Sequence, residues 1–155
     1  MSVFSMSLER ESITEVESIN SGLEILRQKG LLDEIGEMCD LWRSQEGGPN
    51  PILAEFDWET EYRFSIGPNR PRFDGFKNQI GLEHETREQM NIRSHLLWAE
   101  AGYQSDEIDA SVFVIPSGNY GSVSRTAREL NDEIFSKYFP IDCPLLLVEY
   151  DPNQR

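Results

Sequence analysis

The sequence RFDGFKNQIGLEHET, residues 72–86, decides the fold that we predict for this chain. Its two halves, residues 72–76 and residues 79–85, have the length and residue types of short strands, with a turn near Lys77 and Asn78. This pair is the starting point of the predicted sheet.

The two predicted strands carry three carboxylates that we expect to lie close together. Side chains two positions apart on a strand point to the same face, so Glu83 and Glu85 project together and His84 points away. Asp74 ends the preceding strand, and we expect its carboxylate to converge with theirs. Carboxylate oxygens are the ligands that Mg²⁺ prefers, and without a cation carboxylates this close repel one another. The stretch therefore predicts a divalent-metal site, which could activate water for hydrolysis.

The C-terminal half alternates helices with apolar strands. We predict a helix over residues 88–101 that ends at Gly102, a strand over 108–116, a helix over 123–139 and a strand over 144–150. This alternation implies crossover connections and a partly parallel, mixed sheet flanked by helices, an α/β fold.

The N-terminal part is predicted to be helical scaffold. Apolar residues recur at three- and four-residue steps over residues 9–30, at Ile13, Val16, Ile19, Leu23 and Leu26, which predicts a helix that ends at Gly30. A second helix is predicted over residues 31–43. Residues 51–66 mix a short helical pattern with an alternation that predicts a strand from about Thr60, and residues 68–71 predict a turn.

Length and composition limit the class of protein that this chain can be. With 155 residues, 38% of them hydrophobic, we expect one domain over residues 1–155, with N-terminal helices at about 9–43 and a catalytic core at about 55–150. Cys39 and Cys143 lie far apart without metal-ligand spacing, so neither a zinc site nor a disulfide is expected. No apolar run approaches membrane-helix length and no leader pattern opens the chain, so we expect no membrane association and a cytoplasmic location.

The charge distribution is uneven. The formal net charge of -14 argues against a nucleic-acid partner for the molecule as a whole. Residues 1–60 hold 13 acidic and 4 basic residues, whereas residues 63–93 hold 6 basic and 4 acidic ones. If three of those four acids bind metal, the surface around them is basic. An acidic protein of this kind can still offer DNA a locally basic approach.

The segment from Asp74 to Tyr150 resembles the PD-(D/E)XK nucleases, and within them the BglII and BamHI branch of type II restriction endonucleases. In that family an Asp ends one strand, and Glu-x-Glu, Glu-x-Gln or Glu-x-Lys follows on the next. The resemblance implies a restriction-endonuclease-like fold with Asp74 and Glu83 as Mg²⁺ ligands, and with Mn²⁺ able to substitute. Glu85 stands where many members carry the lysine that is credited with activating the attacking water.

The resemblance also implies further residues and partners. An acid from an earlier helix often completes the family's site, and we favour Glu59, although the spacing does not decide among Glu59, Asp57 and Glu55. Candidate phosphate contacts are Lys77, Arg87 and Arg125. The implied partner is double-stranded DNA, cut by a homodimer so that both strands are cleaved, although RNA also fits the chemistry.

Two functions remain open at this point. The motif in its context favours a Mg²⁺-dependent endonuclease that hydrolyses DNA phosphodiester bonds. The alternative is a non-catalytic acidic interaction protein on a degenerate nuclease fold, which the net charge of -14 favours. For His84 and His95 we favour a structural role over a catalytic one, and for the three tryptophans a core position over base stacking.

Overall fold

The computed structural model describes residues 8–45, 47–64, 72–85, 89–118 and 122–152. Six strands form one sheet: β1 (Ile13–Ile19), β2 (Glu59–Arg63), β3 (Arg72–Lys77), β4 (Ile80–His84), β5 (Ala110–Pro116) and β6 (Leu145–Tyr150). The helices are α1 (Gly22–Gln28), α2 (Leu32–Ser44), α3 (Asn50–Glu55), α4 (Gln89–Gln104) and α5 (Val123–Leu130), followed by a π-helical turn (Ile134–Tyr138). This is the predicted α/β architecture of a mixed sheet flanked by helices.

The strand order is β1-β6-β5-β4-β3-β2. The central strands β4, β5 and β6 pair in parallel, while β1, β3 and β2 pair antiparallel to their neighbours. Parallel strands end at the same edge of a sheet. The carboxyl ends of β4, β5 and β6 therefore meet at one edge, and Glu83 lies there, opposite Phe113 of β5.

Helices cover both faces of the sheet. One face packs its central strands against α1, α2 and α3, in a cluster that includes Leu82, Val112 and Val148. The other packs against α4, α5 and the π-helical turn, with Phe113 and Leu147 at its centre. Parallel strands that are buried on both faces have nearly continuous apolar sequences. The sequences of β5 and β6 have this pattern.

The prediction of a helix over residues 9–30 is wrong for its first half. Ile13–Ile19 forms β1, an edge strand antiparallel to β6, and only Gly22–Gln28 is helical. A register shift between Ile13 and Glu15 lets Ile13 and Val16 pack against the same face of the sheet, while Ile19 packs against the other face. The half-buried residues of β1 therefore fall at three-residue steps that imitate a helix. A side-chain carbon on Gly22 would lie 2.0 Å from the Leu145 carbonyl oxygen, so glycine lets α1 approach β6.

The two C-terminal helices also differ from their predicted limits. The first continues through Gly102 to Gln104, and Gly102 instead makes room for the ring of Phe64. The second ends at Leu130, because the side chain of Asp132 accepts hydrogen bonds from two backbone N–H groups of the following turn. The predicted helix over 31–43, the strand near Thr60 and the other strands are confirmed, while the predicted turn at 68–71 lies outside the described residues.

Within the described ranges, no helix has both the length and the apolar character needed to span a membrane.

Candidate metal centre

Asp74 and Glu83 lie side by side on β3 and β4. Asp74 Oδ2 accepts a hydrogen bond of 2.8 Å from the backbone N–H of His84, which holds the Asp74 carboxylate against β4. Glu83 is 4% exposed. Burial raises the pKa of Glu83 well above its ordinary value, and the charges of Asp74 and Glu85 and a proton shared with Asp74 raise it further. The two carboxyl groups predicted to converge are therefore neighbours.

Glu85 continues the line of β4 beyond its last strand residue. Its backbone N–H donates to the Val114 carbonyl at 2.8 Å, and its side chain is buried, with 1% exposed. Glu85 Oε1 lies 2.5 Å from Nδ1 of His95 on α4, and Glu83 Oε2 lies 3.7 Å from the same nitrogen. Ligand atoms of Glu83, Glu85 and His95 all lie within 4.8 Å of one another.

Two carboxylate oxygens in this cluster are buried without a donor. Glu83 Oε1 and Glu85 Oε2 have no hydrogen-bond donor among the described residues. A buried acceptor left unsatisfied costs roughly 1–3 kcal/mol, and more when it is charged. A divalent cation would compensate both oxygens, and carboxylate and imidazole groups are ordinary donors for such cations. The residues therefore fit a divalent metal ion.

Gly81, two residues before Glu83, lets the strand pair close. A side-chain carbon at Gly81 would lie 2.7 Å from carbons of the Phe73 ring, closer than atoms can pack. The Phe73 ring thus lies directly over Gly81. Because Asp74 follows Phe73 in the chain, this contact helps to hold Asp74 beside β4.

His84 lies on the opposite face of the sheet, as strand alternation predicts. Its Nε2 is 2.8 Å from the hydroxyl of Tyr150, and its ring centroid is 4.6 Å from that of Trp42. Burial lowers the pKa of His84 to about 4. The imidazole is thus a neutral core group, in agreement with the structural role favoured from the sequence.

Glu59 and Lys77 are not members of the group that Glu83, Glu85 and His95 form among the described residues. Glu59 is exposed at the start of β2, opposite Phe76, so it is not on a helix as expected for the completing acid. Lys77 was expected to face a phosphate, but its ammonium donates to Glu34 Oε2 at 2.9 Å and to the Phe56 carbonyl at 2.7 Å, beside α2 and α3. Arg87 lies outside the described residues.

Arginines on α4 and α5 share one acid. Arg93 of α4 donates to both carboxylate oxygens of Glu129 on α5, at 3.2 and 3.1 Å. The predicted phosphate contact Arg125 lies 3.9 Å from the same carboxylate, and 58% of its side chain is exposed. Arg93 is two residues from His95 in the sequence, so two guanidinium groups, both ion-paired with Glu129, lie on the helix that carries the imidazole and on its neighbour α5.

Sequence reasoning missed His95 as a member of the cluster. The residue lies three positions after Ile92 and four before Ala99, both fully buried, so it belongs to the inward stripe of α4. The signal in the sequence that could have identified His95 is its position as a polar residue on that inward stripe. The expectation of a core tryptophan holds for Trp42 and Trp58, but Trp98 is 40% exposed.

Comparison with known proteins supports the fold. The crystal structure of restriction endonuclease BglII complexed with a DNA 16-mer is similar to this chain, with a TM-score of 0.67 over 88% of this chain and 75% of that chain. The sequence identity is 16%. No protein-family model matches the sequence, and no curated protein matches it. The chain therefore has a restriction-endonuclease-like fold.

Proposed function

We propose that this protein is a divalent-metal-dependent endonuclease of the PD-(D/E)XK type that hydrolyses phosphodiester bonds in double-stranded DNA. The observation that carries the proposal is the carboxylate cluster of Asp74, Glu83 and Glu85 at the carboxyl end of β4, on a restriction-endonuclease-like fold. Two of its oxygens are buried without a donor among the residues that the structure describes. Carboxylates in this arrangement destabilise a protein unless a cation compensates them.

Asp74 and Glu83 are the residues that would hold the ion, with Mg²⁺ as the expected cation and Mn²⁺ able to replace it. When bound, the metal supplies a water of lowered pKa and stabilises the charge that develops on the leaving oxygen. The backbone N–H of His84 keeps Asp74 in place. Glu85 lies beside them in the same cluster, and its Oε2 is buried without a donor among the described residues, so it can join Asp74 and Glu83 in holding the ion.

The substrate is inferred from charge and from the similar structure. Phosphate groups are attracted by exposed guanidinium groups, and Arg93 and Arg125 offer two of these on α4 and α5. The BglII chain that resembles this one was solved with DNA. These arginines lie on the helices that cover the cluster's face of the sheet, so we propose that duplex DNA approaches from there.

Plasmid cleavage tests the proposal. Supercoiled DNA is incubated with wild type, Asp74→Ala and the control Glu37→Gln, which changes an exposed acid on α2, in Mg²⁺, Mn²⁺ or EDTA. We expect metal-dependent cleavage by wild type and by Glu37→Gln, and its loss in Asp74→Ala. Equal cleavage by all three proteins, or none with either metal, would refute the proposal.

The product also reports on the proposed homodimer. Two sites acting together convert supercoiled plasmid to linear DNA, whereas a single site accumulates nicked circles. Size-exclusion chromatography with light scattering gives the oligomeric state independently. If the protein neither cleaves DNA nor binds Mg²⁺ in calorimetry but co-purifies with a basic partner, the acidic interaction protein indicated by the net charge of -14 is the better account.

A further inference from the structure

We infer that His95 is itself a ligand of the bound ion, and that its nitrogen raises the affinity of the site for Mn²⁺ more than its affinity for Mg²⁺. The inference rests on the proposed metal-dependent function and adds a residue from α4 to the carboxylates of the sheet. No other helix supplies a ligand atom to the cluster among the described residues.

The distances fit one shared ion. Ligand atoms bound to a single ion at about 2.1–2.3 Å lie about 3 Å apart at right angles and about 4.5 Å apart when opposite. His95 Nδ1 is 2.5 Å from Glu85 Oε1 and 3.7 Å from Glu83 Oε2, and the three ligand atoms lie within 4.8 Å of one another. A small outward shift of Nδ1 from Glu85 brings the three to ligand spacing.

The imidazole is held in this position by its helix. Ile92, Leu96 and Ala99, the neighbours of His95 on the inward stripe of α4, are each 0% exposed. The His95 side chain itself is 28% exposed, so one part of the ring lies at the carboxylates and another reaches the surface. Nδ1 lies within hydrogen-bond distance of Glu85 Oε1, so a cation between the two atoms would contact both.

A nitrogen ligand changes which cation fits. Mg²⁺ binds oxygen ligands almost exclusively and keeps much of its water, whereas later divalent metals accept imidazole. Three carboxylates alone would make an oxygen site suited to Mg²⁺. Adding His95 favours a cation that accepts both carboxylate and imidazole, and of these two cations Mn²⁺ accepts a nitrogen ligand more readily than Mg²⁺ does.

Electron spin-echo spectroscopy of bound Mn²⁺ tests this directly, because a coordinated imidazole nitrogen gives a characteristic coupling. The chain holds two histidines, and His84 is bonded to Tyr150 on the other face of the sheet. The protein is purified without a histidine tag. We expect nitrogen coupling in wild type and in His84→Gln, and its disappearance in His95→Ala and His95→Gln.

Calorimetry with each metal alone gives the second readout. We expect His95→Ala to weaken Mn²⁺ binding by about tenfold or more while Mg²⁺ binding changes much less. Circular dichroism confirms that each variant is folded, and His95→Gln replaces His95→Ala if the latter is not. Absence of nitrogen coupling in wild type, or an unchanged ratio of Mn²⁺ to Mg²⁺ affinity in the variant, overturns the inference.

The outcome separates this inference from the proposed function. A protein that cleaves plasmid DNA with metal but shows no nitrogen coupling keeps the nuclease proposal and loses the His95 ligand. A protein that shows the coupling but cleaves no nucleic acid keeps the metal site and loses the nuclease proposal.

Discussion

Replacing Glu83 with Gln should stabilise the metal-free protein. Glu83 is 4% exposed and lies against the carboxylates of Asp74 and Glu85, which together with burial raise its pKa. Two like charges 4 Å apart cost about 4 kcal/mol at an effective dielectric constant near 20, although the native site relaxes part of this. The introduced amide carries no charge and can donate to Asp74. We expect a gain of about 1–3 kcal/mol in the free energy of unfolding at pH 8.

The gain depends on pH in a definite direction. Because the folded-state pKa of Glu83 is raised above its ordinary value of 4.5, protonated Glu83 stabilises the fold at low pH. That stability is lost as pH rises through the raised pKa. The advantage of Glu83→Gln should therefore be largest at pH 8 and small near pH 4.5.

Thermal unfolding at both pH values measures the effect, with Glu37→Gln as a matched exposed control. For a chain of this size, 1 kcal/mol corresponds to a change of about 2–4 °C in Tm. Free Mg²⁺ at ten times the Kd of wild type should raise the free energy of unfolding of wild type by about 1.4 kcal/mol. The same concentration should leave the free energy of unfolding of Glu83→Gln unchanged. If the Tm of Glu83→Gln at pH 8 in EDTA is equal to or lower than that of wild type, repulsion among the carboxylates does not destabilise the fold and the reasoning is wrong.

Three further predictions address packing, stability and binding. Gly81→Ala forces the Phe73 ring to move, and we expect a loss of about 1–3 kcal/mol in urea unfolding. Tyr62→Phe removes a 2.7 Å hydrogen bond to Glu107 and should cost about 1–2 kcal/mol at pH 7. The pKa of Tyr62 is raised from 10.0 to about 12. The difference in the free energy of unfolding between wild type and Tyr62→Phe, measured in urea, should therefore become smaller as pH rises from 10 to 12. Arg125→Gln should weaken duplex binding and lower the slope of affinity against salt by about one in fluorescence anisotropy, whereas an unchanged slope would remove Arg125 from the DNA surface.

The strand pair around Asp74 and Glu83 could be predicted from the sequence because its information is local. Alternation fixes which side chains share a face, and it correctly separated His84 from Glu83 and Glu85. The apolar runs of β5 and β6 were equally informative, since a strand buried on both faces has few alternatives.

The rest depends on contacts between distant parts of the chain. β1 is a strand because it pairs with β6, more than 120 residues away, and its irregular register hides the alternation that would identify it. His95 joins the cluster because α4 packs across the sheet with its inward stripe over β4. Periodicity gives the stripe of a helix but not the residues that it will face. For this reason the carboxylates were identifiable in the sequence and the imidazole was not.

The most direct test of the central claim measures stability and cleavage on the same preparation of Glu83→Gln. If Glu83 serves metal-dependent hydrolysis and lowers stability, replacing it should raise the stability and lower the cleavage rate. We predict a higher Tm than wild type in EDTA at pH 8, together with a loss of more than about a hundredfold in the rate of Mg²⁺-dependent plasmid cleavage. Cleavage at the wild-type rate by this variant would contradict the account.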